Sequence, residues 1–330
     1  MTTYLIRRFF YMIMTVFILS IVTFMIIQLP AGDFVNTLAK QYTTSGREVD
    51  QTFLNNLRHQ YGLDQPGYVQ YLRWMGNVLQ GNLGWSFQFS KPVIQLIGER
   101  IQLTSAISLV TLLLIYLIAV PIGIYSATHQ YTLGDYVFML IGFIGMASPS
   151  FLLALILMVI FLNAGLGVGG LFSPDYLRAP WSLARVIDLA KHLPLPVIIL
   201  GTAGTAGLIR IMRASLLDEL GKQYVITARA KGVNEVKLLF KYPLRVALNP
   251  IVSTIGWELP AIVSGGVIVE MVLNLPTTGP MLYNALIRQD MFLASSLLLF
   301  LNFLTVIGTL ISDILLVVVD PRIRFTSRET

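Results

Sequence analysis

Cysteine is absent from the 330-residue sequence, and histidine occurs three times, at His59, His129 and His192. Without cysteine the chain has no disulfide, no thiolate metal ligand and no cysteine nucleophile. The histidines are widely separated and form no metal-binding motif, so we expect no metal site within this chain.

Charged residues are also scarce, at 12% of the chain, whereas a soluble domain carries roughly 25%. Hydrophobic residues make up 55%, and the mean hydropathy is +0.72. A soluble protein of this length exposes too many positions to water to hide so much apolar surface. The composition excludes a cytosolic enzyme and a disordered chain. We attribute the net charge of +6 to basic cytoplasmic loops and expect no nucleic-acid partner.

Six stretches reach the length of about 20 mostly apolar residues that a spanning helix needs. They lie at about Phe9–Leu29, Ile101–Ala127, Leu133–Leu162, Leu193–Leu216, Val246–Leu273 and Ala294–Val319. The sequence therefore predicts an all-α integral membrane protein in a lipid bilayer. The first stretch has no Ala-x-Ala cleavage site after it, so we interpret it as a retained helix rather than a signal peptide.

The segment from about residue 30 to residue 100 is polar and predicts an extracytoplasmic insert after the first span. It begins at a turn signal, Pro30-Ala31-Gly32, and has helical periodicity over Val49–Gln60 and Gly67–Leu79. We therefore divide the chain into residues 1–100, the first span with its insert, and residues 101–330, a core of five spans.

Basic residues predict the orientation in the membrane. Arg7 and Arg8 precede the first span, the stretch from Arg210 to Arg245 holds eight Lys or Arg, and three arginines follow the last span. Since short cytoplasmic segments are enriched in Lys and Arg, we expect both termini to be cytoplasmic.

The loop between the fourth and fifth spans, at about residues 218–245, predicts two short helices. The first, over Gln223–Lys231, is expected to stop at Gly232, and the second, over Glu235–Phe240, to end before Pro243. Two helices joined at a glycine form an elbow, which could insert into a groove on a partner protein or lie on anionic lipid. The residues alone favour neither alternative.

Ordered motifs along nearly the whole chain carry a family resemblance. They are Tyr4-Leu5-Ile6-Arg7-Arg8, Tyr61-Gly62-Leu63-Asp64-Gln65-Pro66, Gly81-Asn82-Leu83-Gly84, Ser148-Pro149, His192-Leu193-Pro194-Leu195-Pro196, Tyr224-Val225, Thr227-Ala228-Arg229-Ala230-Lys231-Gly232, Pro243-Leu244-Arg245 and Asp320-Pro321-Arg322-Ile323-Arg324. Together they resemble the inner-membrane permeases of ABC importers, and within these the dipeptide, oligopeptide and nickel subfamily.

Three positions depart from the pattern of that family. Pro30-Ala31-Gly32-Asp33 stands where Pro-Gly-Asp-Pro is usual, and Tyr242-Pro243 stands where a histidine usually precedes Leu-Arg. Pro276-Thr277-Thr278-Gly279-Pro280 replaces a common Pro-Gly-Leu-Gly loop. The last departure lies near the predicted outer mouth of the pathway. We therefore do not infer a substrate from the resemblance of this loop to the family.

The resemblance implies one half of a translocation pathway in the cytoplasmic membrane, working with a second permease, two cytoplasmic ATPase subunits and an external solute-binding protein. It implies that the elbow is the helix that couples to the ATPase, through Tyr224, Val225, Thr227, Ala228, Arg229, Ala230, Lys231 and Gly232. We expect Ala228, Ala230 and Gly232 to allow a close fit and Arg229 and Lys231 to supply charge complementarity.

The chain has no phosphate-binding loop of its own. Its one Gly-Lys pair, Gly221-Lys222, is followed by Gln223 and does not complete the Gly-x4-Gly-Lys-Ser/Thr motif. We therefore expect a non-enzymatic subunit that binds no cofactor, with ATP and Mg²⁺ on the partner ATPase subunits.

Charged residues within predicted spans are functional candidates by default, since they are expensive in lipid. Glu258 and Glu270 are 12 residues apart, so on one continuous helix their side chains would point in directions about 120° apart. They therefore do not form a paired-carboxylate site. These two and Asp313 are candidates either for lining the pathway or for structural hydrogen bonds. We expect Arg210 and Arg213 to extend to the membrane surface, with pathway lining as the alternative.

Two other classes compete with the transport subunit. An intramembrane protease needs a Ser/His pair, an Asp/Asp pair or a His-Glu-x-x-His motif within spans, and the sequence has none. An ion-coupled secondary transporter typically shows internal repeats, and none is obvious here. Among substrates, di- and oligopeptides are expected first, with oligosaccharides or nickel chelates as alternatives.

Overall fold

The computed structural model describes residues 2–29, 33–44, 50–177 and 179–319. Within these ranges the fold is helical apart from a two-stranded hairpin and a 3₁₀ turn at Pro174–Tyr176. The helices are α1 (Thr2–Gln28), α2 (Phe34–Thr44), α3 (Gln51–Tyr61), α4 (Gly67–Leu79), α5 (Val93–Thr128), α6 (Leu133–Ala147), α7 (Ser150–Asn163), α8 (Leu183–His192), α9 (Pro194–Leu220), α10 (Gln223–Ala230), α11 (Glu235–Lys241), α12 (Pro243–Gly265), α13 (Val267–Val272), α14 (Thr278–Ile287) and α15 (Met291–Val319). The strands are β1 (Trp85–Ser86) and β2 (Lys91–Pro92), which pair antiparallel.

The prediction of an all-α integral membrane protein is confirmed. Five stretches in the described residues are long and apolar enough to cross a membrane, namely Ile6–Gln28, Val93–Thr128, Pro194–Leu220, Glu235–Val272 and Met291–Val318. The pair α6 and α7 makes a sixth if it is counted as one broken span. The predicted turn at Pro30-Ala31-Gly32 and the motif Asp320-Pro321-Arg322-Ile323-Arg324 lie outside the described residues.

The predicted third span is bent rather than straight. Helices α6 and α7 meet at an angle of 109°. Ser148 between them is extended, with φ −81° and ψ 128°, because the ring of Pro149 disfavours a helical conformation in the residue before it. Pro149 also lacks the N–H that would continue the helix.

By its contacts the chain separates into two units. One unit comprises Ser105–Pro276 together with Met1–Arg8 and Leu304–Thr330. Its core joins three helices through buried aliphatic side chains, among them Ile115 and Ala119 of α5, Leu208, Met212 and Leu216 of α9, and Ala247 and Ile251 of α12. Gly123 allows α5 to approach α9, since a Cβ placed there would lie 2.5 Å from Met212 Cβ.

The other unit comprises Phe9–Thr104 and Thr277–Phe303 and contains the insert. Helix α4 has the predicted bounds, and α3 begins after Asp50, whose carboxylate accepts a hydrogen bond from Thr52 N at 2.8 Å. Trp74 of α4 is buried and stacks on Phe24 of α1, with ring centroids 5.5 Å apart. The insert therefore packs on the first span through aromatic side chains. Helix α2 and the hairpin were not predicted.

Candidate functional site

The elbow forms between α9 and α12, as its sequence predicted. Helix α10 ends at Ala230, one residue before its predicted end at Lys231. Helix α11 ends at Lys241, one residue after its predicted end at Phe240. Gly232 has φ +77°, a left-handed conformation that glycine adopts at little cost, and its N–H donates to Arg229 O at 3.0 Å. The Asn234 side chain then caps α11 by accepting from Val236 N at 3.0 Å.

A small hydrophobic core holds the two short helices together. Val225 and Ala228 of α10 and Leu238 of α11 are buried, with Val233 and Tyr242 packed against them. Ala228 therefore packs inside the elbow and presents little surface to a partner. The elbow is a preformed body, because its two helices bury side chains against each other.

Six of the eight predicted coupling residues are exposed on the elbow: Tyr224, Thr227, Arg229, Ala230, Lys231 and Gly232. Arg229 pairs with Glu235 through two hydrogen bonds, Nε–Oε1 at 2.6 Å and Nη2–Oε2 at 3.1 Å, and this carboxylate raises the pKa of the Arg229 guanidinium. The Tyr224 hydroxyl donates to Glu219. Partial burial, followed by the hydrogen bond to Glu219 and its charge, raises the pKa of the Tyr224 phenol.

The elbow is connected to two spans that pack against each other. Helix α9 ends at Leu220, just before α10, and α12 begins at Pro243, just after α11. Leu216 of α9 and Leu244 of α12 belong to the same buried cluster. The elbow is therefore continuous in sequence with two spans that share one buried cluster.

The three intramembrane carboxyl groups lie in different surroundings. Asp313 of α15 forms an ion pair with Arg8 of α1. Glu258 of α12 is partly buried and lies against α9, where a Cβ on Gly204 would be 2.9 Å from its Oε2. Glu270 is buried and belongs to α13, since the fifth span breaks at Gly266. The two glutamates are thus on separate helices.

An ion pair between α6 and α9, with a buried carboxylate, was missed by the sequence analysis. Arg213 of α9 donates from Nε and Nη2 to the two carboxylate oxygens of Asp135 on α6, at 3.0 and 2.9 Å. Arg213 was expected to extend to the membrane surface; its side chain is partly exposed, and its guanidinium is held by a carboxylate that the surrounding protein buries. The sequence signal for this pair was Asp135, a carboxylate in the first turn of a predicted span that would need a cationic partner.

The fold defines the class of helical integral membrane proteins, with a compact elbow between two of the spans. Comparison with known families places it within that class. Residues 119–325 match the binding-protein-dependent transport system inner membrane component, and residues 1–110 match the N-terminal region of such components. The chain belongs to the family of binding-protein-dependent transport system inner membrane components, the permeases of ABC importers.

Two relatives are similar along their whole length. The oligopeptide transport system permease protein AppB of Bacillus subtilis is 35% identical over 326 residues, which cover 98% of this chain and 100% of the relative. The glutathione transport system permease protein GsiC of Escherichia coli K12 is 30% identical over 325 residues, again 98% of this chain and 100% of the relative.

Proposed function

We propose that this permease forms half of the translocation pathway for di- or oligopeptides in an ATP-driven importer. The substrate class is supported by the names of the two relatives, one for oligopeptides and one for glutathione, which is itself a tripeptide. Oligosaccharides and nickel chelates are the alternative substrates. We propose that the choice among these substrates rests largely with the external binding protein.

The elbow carries the proposal for energy coupling. We propose that its exposed residues, Tyr224, Thr227, Arg229, Ala230, Lys231 and Gly232, contact a cytoplasmic ATPase subunit, and that Val225 and Ala228 support this surface from inside. The buried core of the elbow favours this role, because a rigid body can transmit a displacement to α9 and α12 together.

The assembly we propose contains a second permease, two ATPase subunits that bind ATP and Mg²⁺, and a solute-binding protein. This chain is a non-catalytic subunit of the cytoplasmic membrane with both termini in the cytoplasm. Arg8 and Asp313, near the two ends of the described chain, form an ion pair, which supports placing both termini on one side.

Purification of the tagged chain in mild detergent, with identification of its companions and an ATPase assay, tests this function. We expect a second permease and ATPase subunits to accompany it, and uptake to stop when ATP is depleted while the ion gradient is kept. Uptake that survives ATP depletion would support an ion-coupled secondary transporter and contradict the proposal.

A further inference from the structure

Helix α8 has its charged side turned inward and its apolar side turned outward. Arg185 and Asp188 are buried, 4% and 7% exposed, whereas Leu183 is 77%, Val186 48% and Ile187 49% exposed. At about 100° per residue, the three exposed side chains lie within about 100° of one another, on the side of the helix opposite Arg185 and Asp188. A surface helix in water has the reverse arrangement.

Specific contacts hold the charged side inside the protein. The Arg185 guanidinium contacts two aromatic rings, 4.5 Å from the centroid of Phe172 and 4.6 Å from that of Trp181. Asp188 accepts two hydrogen bonds from Ser173, from N at 2.8 Å and from Oγ at 2.6 Å. Turning Leu183 inward would break all of these contacts, so the rotation of α8 about its axis is determined by them.

The apolar face of α8 follows in sequence a helix pair, α6 and α7, that is long and apolar enough to cross a membrane. Helix α8 lies in the segment between the end of α7 at Asn163 and the start of α9 at Pro194. The last turns of α7 expose Val159, Ile160 and Leu162 as expected for a lipid-facing helix. Leu166 and Leu177 are further exposed apolar side chains in the segment that leads to α8.

We propose that α8 is an interfacial helix whose face formed by Leu183, Val186 and Ile187 lies in the acyl chains just beneath the lipid headgroups. Trp181 and Lys191 lie at its two ends, where an indole ring and a flexible ammonium group suit the headgroup region. The inference goes beyond the proposed transport function and does not depend on the substrate. It gives α9 a membrane anchor at the end opposite the elbow.

The absence of cysteine makes a direct test practical, because one introduced cysteine is the single labelling site of this chain, and a transporter with the unmodified chain measures the labelling of the other subunits. Leu183→Cys, Val186→Cys and Ile187→Cys are each labelled with an environment-sensitive fluorophore in the complete transporter reconstituted in nanodiscs. Quenching is measured with lipids carrying a nitroxide near the headgroup and, separately, with aqueous iodide. Ile160→Cys on α7 is the lipid reference, and Gln51→Cys on the polar helix α3 is the aqueous reference.

We expect the three α8 positions to be quenched by the lipid nitroxide as Ile160→Cys is, and by iodide several-fold more weakly than Gln51→Cys. Iodide quenching equal to that of Gln51→Cys would overturn the proposal. Protection from both quenchers would also overturn it, and would indicate a protein covering this face. Size-exclusion profiles and ATPase rates of the labelled complexes verify that each variant is folded.

Discussion

Arg213 on α9 holds both carboxylate oxygens of Asp135 on α6, and this pair joins two parts of the membrane-spanning core. The two partners differ in burial: Asp135 is 2% exposed, whereas the Arg213 side chain is 21% exposed. The Tyr131 N–H also donates to Asp135, at 3.1 Å. The carboxylate is therefore the group that depends most on its partner.

Removal of the arginine is expected to cost more stability than removal of the carboxylate. Arg213→Gln leaves Asp135 buried without its cation, at a cost of about 3–5 kcal/mol. Asp135→Asn costs less, because the partly exposed guanidinium can reach the membrane surface. The double variant should resemble Asp135→Asn alone, measured by thermal inactivation in detergent.

Arg210→Gln is the matched control, since Arg210 is an exposed arginine on the same helix. We expect it to change stability by less than about 0.5 kcal/mol. If Arg213→Gln and Asp135→Asn lose equal amounts of stability, and the double variant loses the sum of the two, the two side chains are not energetically coupled and the prediction is wrong.

Gly232 is expected to be required for coupling because of its backbone conformation. Its φ of +77° costs a residue with a Cβ about 1–2 kcal/mol, while a Cβ at this position would contact nothing within 4 Å. Gly232→Val should therefore distort the elbow and lower the uptake per ATP hydrolysed in proteoliposomes, with membrane insertion intact. Gly232→Asn, which tolerates a left-handed conformation, should keep coupling. Unchanged uptake by Gly232→Val would refute this role.

Gly123 is expected to be required for the packing of α5 against α9. A Cβ there would lie 2.5 Å from Met212 Cβ and 3.1 Å from the backbone oxygen of Ile209, so Gly123→Ala should cost about 1–3 kcal/mol. Gly98→Ala on the same helix meets nothing within 4 Å and should be neutral or slightly stabilising. The melting temperatures of the two variants in detergent test this contrast, and equal values would contradict it.

The Asp188 carboxylate is expected to make stability depend on pH. Burial alone would raise its pKa, but the hydrogen bonds from Ser173 and the charges of His192 and Lys191 outweigh burial and lower the pKa below its ordinary value of 3.8. A lowered pKa means that the stabilisation is complete above about pH 4 and is lost as the pH falls through the folded-state pKa.

Ser173→Ala removes one of the donors and should cost roughly 1.5–3 kcal/mol near neutral pH. Its deficit relative to the wild type should shrink below about pH 4, as the carboxylate becomes protonated. Ser173→Thr keeps the hydroxyl and is the control. Melting temperatures between pH 3.5 and 7 provide the measurement, and a deficit independent of pH would show that the hydroxyl acts without the charge of Asp188.

Local patterns in the sequence were sufficient for the apolar spans, the bounds of α4 and the two helices of the elbow. These features depend on neighbouring residues: the length of an apolar run, a glycine that stops a helix, and a proline that begins the next one. The lack of a phosphate-binding loop is likewise a property of the sequence alone.

Tertiary structure decided which side of each helix is covered and which charges meet. Asp135 and Arg213 are 78 positions apart, and their pairing depends on how α6 and α9 pack. The same holds for Ala228, which only the contact with α11 places inside the elbow, and for α8, whose charged side is held inward by an aromatic pair and a serine. Periodicity shows that a helix has two faces, but the burial of one face depends on neighbours that are distant in sequence.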